Sequence, residues 1–286
     1  MEFWNPDIEK QFFDAALRSF AAPEQLFCKV GEEYLAYIPK EFKAQGQTLQ
    51  KRNLLIGKFT KRWCQRFFSP IAKKFGLFAV NDVVCPEVGL SKSSSADLAF
   101  CITEEDIQKP ENIKLLFEIK MSIVSNYRFT HPDTVSYLGD YRTHKGNPSL
   151  LRSDSMRKAI GKSVNIRVSG EAGAGIPIIV IGNSPITESY VEKVDFLKTA
   201  GVTLGFWSLN PEPTDYHHIK SSPKSGFRTF SDTDSLMQEC DHLLYGGFQY
   251  FSSMLPKKQL GEIIKIASKE SSEIAIAEKF LSLIHD

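Results

Sequence analysis

The stretch Leu115-Leu116-Phe117-Glu118-Ile119-Lys120 begins as an apolar run and ends with a carboxylate and an ammonium group two residues apart. Successive side chains of a strand point to opposite faces of the sheet, so Glu118 and Lys120 share one face while Phe117 and Ile119 share the other. The pattern predicts a central sheet strand that carries a charged pair at its end.

A second short apolar strand is predicted upstream, from Leu98 to Ile102, and Asp97 stands at its start after a serine-rich turn. If the two strands are neighbours, Asp97, Glu118 and Lys120 converge on one point. Two carboxylates suit a divalent cation, and a lysine beside them suits a phosphate group. The competing interpretation is an edge strand with a solvated Glu118–Lys120 pair, which contributes only about a few tenths of a kcal/mol.

This arrangement resembles the D…E-x-K signature of the PD-(D/E)xK nucleases, and in particular that of type II restriction endonucleases. The residues that carry it are Asp97 and Glu118-Ile119-Lys120, and the resemblance covers roughly Phe78 to Asn183. Ala96 stands where the family name has proline. The context of two apolar strands and nearby basic segments strengthens a motif that is short by itself.

The resemblance implies Mg2+-dependent, sequence-specific hydrolysis of double-stranded DNA. It implies Asp97, Glu118 and Lys120 as catalytic residues, with the metal held by Asp97, Glu118 and the backbone carbonyl of Ile119. An enzyme of this kind that cuts both strands of a palindrome is expected to be a homodimer. The alternatives are a repair or structure-specific DNA nuclease on the same fold, and a DNA-binding protein that has the fold without the chemistry.

The expected fold class is α/β, with a restriction-endonuclease-like core in which helices flank a central mixed sheet. A basic helix, three strands, a helix and another strand follow one another in the order that this core requires. We expect one nuclease domain over residues 1–286, with a helical N-terminal part (1–50), a catalytic core (51–210) and a helical C-terminal part (211–286).

Hydrophobic spacing and turn residues predict further elements along the chain. These are helices at Ile8–Phe20 and Pro23–Tyr37, a first core strand at Leu77–Val84, a strand at Ile176–Ile181, a helix at Thr187–Thr199, a strand at Val202–Leu209, a loop at Pro211–Phe230, and two C-terminal helices at about Ser231–Tyr245 and Lys257–Ile284.

The stretch from Phe42 to Asn81 is rich in Lys and Arg and contains no Asp or Glu. Apolar residues at every fourth position, Leu55, Phe59, Trp63 and Phe67, predict a helix with a core-facing stripe. The other face of this helix is basic and is predicted to contact DNA phosphates through Lys51, Lys58, Arg62 and Arg66. The alternative is a solubilising face, although such faces usually mix the two signs of charge.

The segment Met121–Leu151 is predicted to be a long polar and aromatic loop beside the site. Its residue types suit DNA grooves and backbone, and the predicted contacts are Asn126, Arg128 and Arg142. Four histidines are predicted to lie on the surface, because none of them has a partner at metal-ligand spacing; these are His131, His144, His217 and His218.

A helix is predicted to open at Arg152-Ser153-Asp154, with Ser153 or Asp154 as its N-cap. The opening resembles the R-S-D-R element of restriction enzymes that read CCGG, although Ser155 replaces the second arginine and Lys120 lies much further upstream. We therefore expect a DNA-reading helix without that specificity. Its predicted contacts are Arg152, Ser153, Asp154, Lys158 and Lys162, and the alternative is a capped helix with solvated lysines.

Three further acids are open candidates for the metal site. Glu87 follows the first core strand and is either a metal ligand or a loop residue. Glu32 and Glu33 lie on the predicted second helix, where they are either metal ligands or, more simply, solvated acids.

Composition sets the remaining limits. A hydrophobic content of 42% and 24% charged residues indicate an ordinary globular protein, and a net charge of +1 leaves room only for a locally basic groove. The five cysteines are scattered without a C-x-x-C pair, which favours a reducing compartment over a disulfide framework or a zinc site. With neither a signal-peptide pattern nor a membrane-spanning run, the expected location is the cytoplasm.

Overall fold

The computed structural model describes residues 2–19, 21–43, 49–132, 134–211, 219–246 and 257–285. Its helices and strands, in chain order, are α1 (Pro6–Ser19), α2 (Pro23–Leu26), β1 (Cys28–Val30), β2 (Glu33–Leu35), α3 (Gln50–Lys74), β3 (Phe78–Val83), β4 (Ala96–Cys101), β5 (Ile113–Ile119), β6 (Asn126–Thr130), β7 (Thr134–Gly139), α4 (Ser153–Val168), α5 (Glu171–Gly175), β8 (Ile178–Gly182), α6 (Glu188–Thr199), β9 (Gly205–Ser208), β10 (Phe227–Thr229), α7 (Thr233–Tyr245), α8 (Lys257–Ala267) and α9 (Glu273–His285).

The larger sheet has six strands in the order β10-β9-β8-β5-β4-β3. The strands from β10 to β5 run parallel to one another, whereas β5, β4 and β3 are paired antiparallel. The sheet is therefore mixed, and β5 is the strand at which parallel pairing changes to antiparallel pairing. The α/β class and the central mixed sheet are confirmed.

Successive side chains of β5 point to opposite faces of the sheet, as the sequence predicts, and both sets are largely buried. Phe117 stacks on Phe68 of α3 with ring centroids 4.7 Å apart. Leu116 points to the opposite face, where it packs with Ile166 of α4 and Ile178 of β8. Both faces of β5 are thus covered, as expected for a strand beside a parallel neighbour.

Helices cover the larger sheet on both faces. On one face α3 and α7 pack through a continuous apolar cluster that includes Phe68 and Leu236. On the other face α4 and α6 pack through a cluster that includes Met156 and Val194. The core stripe predicted for α3 is confirmed: Trp63 and Phe67 are buried, and Leu55 and Phe59 are partly buried against the same apolar cluster.

A second sheet of four antiparallel strands, in the order β1-β2-β6-β7, lies beside the first. Aromatic stacking connects this sheet to α1. Phe13 of α1 stacks on Phe27, which precedes β1, with ring centroids 4.7 Å apart, and Phe27 stacks on Phe129 of β6 with centroids 5.5 Å apart. The second sheet and the larger one therefore share one hydrophobic core.

Two predictions are wrong because both segments belong to this second sheet. The helix predicted at Pro23–Tyr37 ends at Leu26, and a hairpin follows in which Gly31 takes the left-handed conformation at the turn (φ 62°). The long loop predicted at Met121–Leu151 contains the β6–β7 hairpin. The N-terminal part is therefore not wholly helical.

The C-terminal part also differs from its prediction. The loop predicted at Pro211–Phe230 contains β10, and the last predicted helix is divided into α8 and α9. The predicted histidine positions His217 and His218 lie outside the described residues. No helix in the described part of the chain combines the length and the apolar character that a membrane span needs.

Candidate functional site

Asp97 of β4 and Glu118 of β5 are cross-strand neighbours. The register pairs Leu98 with Phe117, which places Asp97 directly opposite Glu118. Side chains at such positions lie on the same face within contact distance. The two carboxylates are mostly buried, with side-chain exposures of 14% for Asp97 and 9% for Glu118. The convergence predicted from the sequence is therefore present at the end of the central strand.

Both oxygens of Asp97 have a donor. Lys61 of α3 places its ammonium group 2.8 Å from Oδ1, and the backbone N–H of Ile119 donates to Oδ2 at 2.8 Å. Burial opposes the ionisation of Asp97, but the ammonium groups of Lys162, Lys120 and Lys61 outweigh it and hold the pKa of Asp97 below its ordinary value. Asp97 is therefore ionised at neutral pH.

Glu118 lies between two lysines. Lys120 donates to Oε1, as the shared face of the strand predicts. Lys162 of α4 places its ammonium group 2.6 Å from Oε2 and donates to the carbonyl of Ser95 at 2.6 Å. Oε2 itself is buried, and no donor among the described residues meets it in hydrogen-bonding geometry. The partner of Oε2 is therefore the charge of Lys162 at ion-pair distance and not an aligned hydrogen-bond donor.

A third acid reaches this cluster through Lys61. The β3–β4 register pairs Asn81 with Leu98 and so places Asp82 opposite Asp97. Lys61 bridges the two acids, with its ammonium group 2.6 Å from Oδ1 of Asp82. Burial works against the charge on Lys61, but Asp97 and Asp82 prevail and raise its pKa. The sequence interpretation assigned neither Lys61 nor Asp82 to the site.

The donor set suits a hard divalent cation. Among the described residues no group of three or more His, Cys, Asp or Glu side chains could hold a metal ion, so a dedicated protein cage is absent there. Mg2+ is commonly bound by one or two carboxylates together with water and substrate phosphate, and the pair Asp97–Glu118 fits that mode. Because the Ile119 amide faces Asp97 and an extended residue directs its N–H and C=O to the same side, the Ile119 carbonyl is expected on that side too.

The three open candidate acids lie elsewhere. Glu87 is exposed in a short 3-10 turn, where its carboxylate accepts from the Cys85 thiol at 3.5 Å. Glu32 is at the tip of the β1–β2 hairpin with its side chain almost fully exposed, and Glu33 pairs with Arg128 at 3.0 Å. None of the three joins Asp97 and Glu118.

A cleft of about 780 Å³ is lined by Ile119 and Lys120, whereas Asp97 and Glu118 themselves are not among its lining residues. The first turns of α3 and of α4, the segment after β5 and the loop before α4 form its other walls. Its cationic lining residues outnumber the single acid Asp154; they are Arg52, Lys120, Lys145, Arg152 and Lys158. Arg52 is buried, and its guanidinium group is already engaged by the chain itself, since it donates to the carbonyls of Leu26 (3.1 Å) and Ala36.

The predicted DNA contacts on α4 divide into two groups. Arg152, Asp154 and Lys158 line the cleft, and Asp154 pairs with Lys158 at 3.0 Å. Lys162 turns to Glu118 instead, while Ser153 is exposed. The predicted N-cap is wrong, because the helix begins at Ser153 and the capping position falls on Arg152 without a side-chain cap.

The predicted contacts outside α4 are also divided. The basic face of α3 is exposed as predicted, at Lys51, Lys58, Arg62 and Arg66. Asn126 is wrong as a DNA contact: its side chain is buried, and its oxygen accepts from the Tyr37 amide at 2.8 Å. Arg128 and Arg142 are exposed and form ion pairs with Glu33 and with Asp140, respectively.

His144 was predicted at the surface but is buried. It stacks on Tyr37 with centroids 4.1 Å apart, and its Nε2 lies 2.9 Å from the carbonyl of Val124. Its Nδ1 accepts from the Gly146 amide at 3.0 Å, which fixes a neutral ring. Burial lowers the pKa of His144 to about 4.

A second buried glutamate, Glu9 of α1, lies behind the segment that follows Lys120. Its carboxylate is 1% exposed and accepts from the amides of Val124 (2.7 Å) and Ser125 (3.0 Å). The indole N–H of Trp4 (3.0 Å) and the hydroxyl of Tyr127 (3.2 Å) also reach it. Burial outweighs these hydrogen bonds and raises the pKa of Glu9 to about 7. The sequence interpretation treated this position only as part of an amphipathic helix.

A scan against protein-family models gives no match for the chain, and neither the search of curated proteins nor that of solved structures finds a significant relative.

Proposed function

We propose that this protein is a Mg2+-dependent DNA endonuclease with a restriction-endonuclease-like core, and specifically a type II restriction enzyme. The observation that carries the proposal is the placement of Asp97 opposite Glu118, with Lys120 at the end of the same central strand. The supporting topology is the succession of α3, the antiparallel strands β3 to β5, α4 and the parallel strand β8.

The chemistry proposed for the site divides between a cation and the residues of the chain. Asp97 and Glu118, with the Ile119 carbonyl, would hold Mg2+, which when bound supplies Lewis-acid activation of water and offsets charge on a phosphate. Lys120 donates to Glu118 and also lines the cleft, so it links the carboxylate pair to the space in which a substrate phosphate would lie. There it orients the attacking water and steadies the charge that develops on the scissile group.

The proposed substrate is double-stranded DNA, because the surfaces around the site carry local positive charge on a chain whose net charge is +1. The cleft contributes Lys145, Arg152 and Lys158, and the exposed face of α3 contributes further cations. Such contacts bind phosphates without reading sequence. The start of α4 lines the same cleft and is the element that we assign to base reading.

We further propose that the enzyme acts as a homodimer, since the symmetry of a dimer matches that of a palindromic site. Apolar residues of α8 and α9 offer a surface for such a contact: Ile264, Ile274 and Leu281 are each at least half exposed. Light scattering is expected to give twice the chain mass for the free protein, and twice the chain mass plus that of one duplex for the complex with DNA. A strict monomer in both conditions would contradict the dimer.

The proposed function is tested by digesting unmethylated bacteriophage-sized DNA with Mg2+ or with EDTA and separating the products on a gel. Discrete fragments that require Mg2+ are expected, and mapping their ends gives the recognition site. A Mg2+-dependent smear would indicate a repair or nonspecific nuclease. A salt-sensitive gel shift without cutting, in Mg2+ and in Mn2+ and on several DNA sequences, would indicate a binding protein.

A further inference from the structure

Each carboxylate of the pair is already occupied by an ammonium group from a flanking helix. Lys61 of α3 lies 2.8 Å from Oδ1 of Asp97, and Lys162 of α4 lies 2.6 Å from Oε2 of Glu118. The two remaining oxygens accept from the Ile119 amide and from Lys120. A divalent cation that binds both acids must therefore compete with these groups for the same carboxylate oxygens.

The charges of the cluster sum to zero. Asp82, Asp97 and Glu118 supply three negative charges, and three positive charges come from Lys61, Lys120 and Lys162. A divalent cation added to this arrangement would lie beside three ammonium groups, and like charges at such distances repel strongly in a mostly buried site. Entry of the cation therefore requires that ammonium groups move away from the carboxylates.

Lys61 and Lys162 are built to move without leaving the site. Each has a second acceptor outside the carboxylate pair: Lys61 reaches Oδ1 of Asp82, and Lys162 reaches the carbonyl of Ser95. A lysine has a flexible four-carbon stem and a freely rotating ammonium group, so it can give up one acceptor and keep the other. The amide of Ile119, by contrast, is fixed by the strand.

We propose that Lys61 and Lys162 are exchangeable counter-ions of the Asp97–Glu118 pair, which neutralise it until a divalent cation binds and then turn their ammonium groups to the phosphates of the substrate. The inference rests on the proposed nuclease function and assigns two positioning residues to it. It implies that DNA phosphates, by attracting both lysines, promote cation binding at the pair.

The test is Mn2+ binding to the full-length protein without DNA, with free Mn2+ measured by electron paramagnetic resonance. Lys162→Met and Lys61→Met each remove one competing charge and are expected to bind Mn2+ about tenfold more tightly than the wild type, or better. The matched controls are Arg157→Met and Lys73→Met, which remove an exposed charge from the same two helices at positions outside the proposed site and DNA contacts, and they are expected to leave Mn2+ affinity unchanged. Glu118→Gln is expected to abolish binding at this site.

Thermal unfolding supplies a second readout that also reports whether each variant is folded. Mn2+ is expected to raise the Tm of Lys162→Met more than that of the wild type, and Lys162→Gln provides an independent variant. Equal, Glu118-dependent Mn2+ affinity in the wild type and in all lysine variants overturns the inference and leaves the nuclease proposal standing. If no variant shows Mn2+ binding that depends on Glu118, the metal site and the nuclease proposal are both overturned.

Discussion

Two buried glutamates on either side of the same segment have opposite surroundings. Glu118 lies between the ammonium groups of Lys120 and Lys162. Glu9 is more deeply buried and meets neutral donors, among them the amides of Val124 and Ser125. The chain from Lys120 to Ser125 runs from the first glutamate to the second.

The difference distinguishes a carboxylate whose partners can be exchanged from a carboxylate whose partners are fixed. Ammonium groups on flexible stems can be replaced by another cation, so the surroundings of Glu118 suit a binding function. Backbone amides cannot be replaced, so the amides of Val124 and Ser125 fix Glu9 and thereby anchor α1 to the segment that leads from Lys120 into the second sheet. Burial of a carboxylate is common to both sites, and the mobility of its partners is what distinguishes them.

The largest expected effect concerns cleavage by variants of the charged site. Asp97→Asn and Lys120→Met are each expected to reduce Mg2+-dependent DNA cleavage by about a thousandfold, because in the proposed mechanism both residues supply a charge that acts directly on the cation or on the phosphate. Circular dichroism is expected to show the wild-type fold. Cleavage within tenfold of the wild type in both variants would contradict the assignment.

For the free energy of unfolding, in contrast to cleavage, substitution of Glu9 is expected to have a larger effect than substitution of Glu118. Glu9→Ala leaves the indole of Trp4 and two buried amides without an acceptor, so it is expected to lower the free energy of unfolding by about 3 kcal/mol or more. Glu118→Ala is expected to lower it by only about 1 kcal/mol, since its lysine partners can turn to solvent. Urea denaturation measures both values, and equal losses would remove the distinction.

The pH dependence of stability isolates Glu9 further. Its pKa in the fold is about 7, above the ordinary value of 4.5, so the folded state holds a proton that the unfolded chain has released. The corresponding stabilisation is present below pH 4.5 and is lost as the pH rises through 7. Relative to Glu9→Gln, the wild type is expected to lose about 3 kcal/mol of unfolding free energy across this window.

His144 acts in the opposite direction. Its pKa is lowered from 6.5 to about 4, so its stabilisation is present above pH 6.5 and is lost as the pH falls through 4. This contribution is common to the wild type and to Glu9→Gln, and it cancels in their difference. Denaturation curves at pH 4.5, 6 and 8 provide the test, and a difference that does not change with pH would contradict the buried-acid interpretation of Glu9.

The smallest expected effect concerns the exposed cations of α3. Lys58→Ala is expected to weaken DNA binding less than tenfold and to reduce the slope of log affinity against log salt by about 1, because the proposed interface would lose one phosphate contact. Lys265→Ala, an exposed change on α8, is the control. Fluorescence anisotropy at several salt concentrations measures both, and identical slopes would exclude this face of α3 from the interface.

The parts of the fold that the sequence predicts are those with a local and uniform pattern. The alternation in β5 and the four-residue spacing in α3 each identify an element without reference to the rest of the chain. The strand β6 has a similar alternation, with Tyr127 and Phe129 buried and Arg128 exposed. The segment was nevertheless predicted as a loop, because the residues on either side of the strand are polar. In β1–β2 the only local signal is Gly31 at the turn, set among charged residues that also suit a helix.

Only the part of the site that lies on the central strand could be predicted directly from the sequence. Glu118 and Lys120 share a face by sequence spacing alone, and Asp97 follows if the strands are neighbours. Lys61 and Lys162 come from helices on opposite faces of the sheet, and Asp82 enters through a strand register that depends on the whole hairpin. Glu9 is separated by more than a hundred residues from the amides that it binds. Such contacts depend on tertiary packing, which no spacing rule contains.

The most direct test of the account is a side-by-side digest of phage DNA by the wild type, Glu118→Gln and Glu9→Gln, with Mg2+ and below the unfolding temperature of each protein. Discrete fragments are expected from the wild type and from Glu9→Gln, and intact DNA from Glu118→Gln and from every sample in EDTA. Equal cleavage by Glu118→Gln, or cleavage that persists in EDTA, would contradict the assignment of the Asp97–Glu118 pair as a metal-dependent nuclease site.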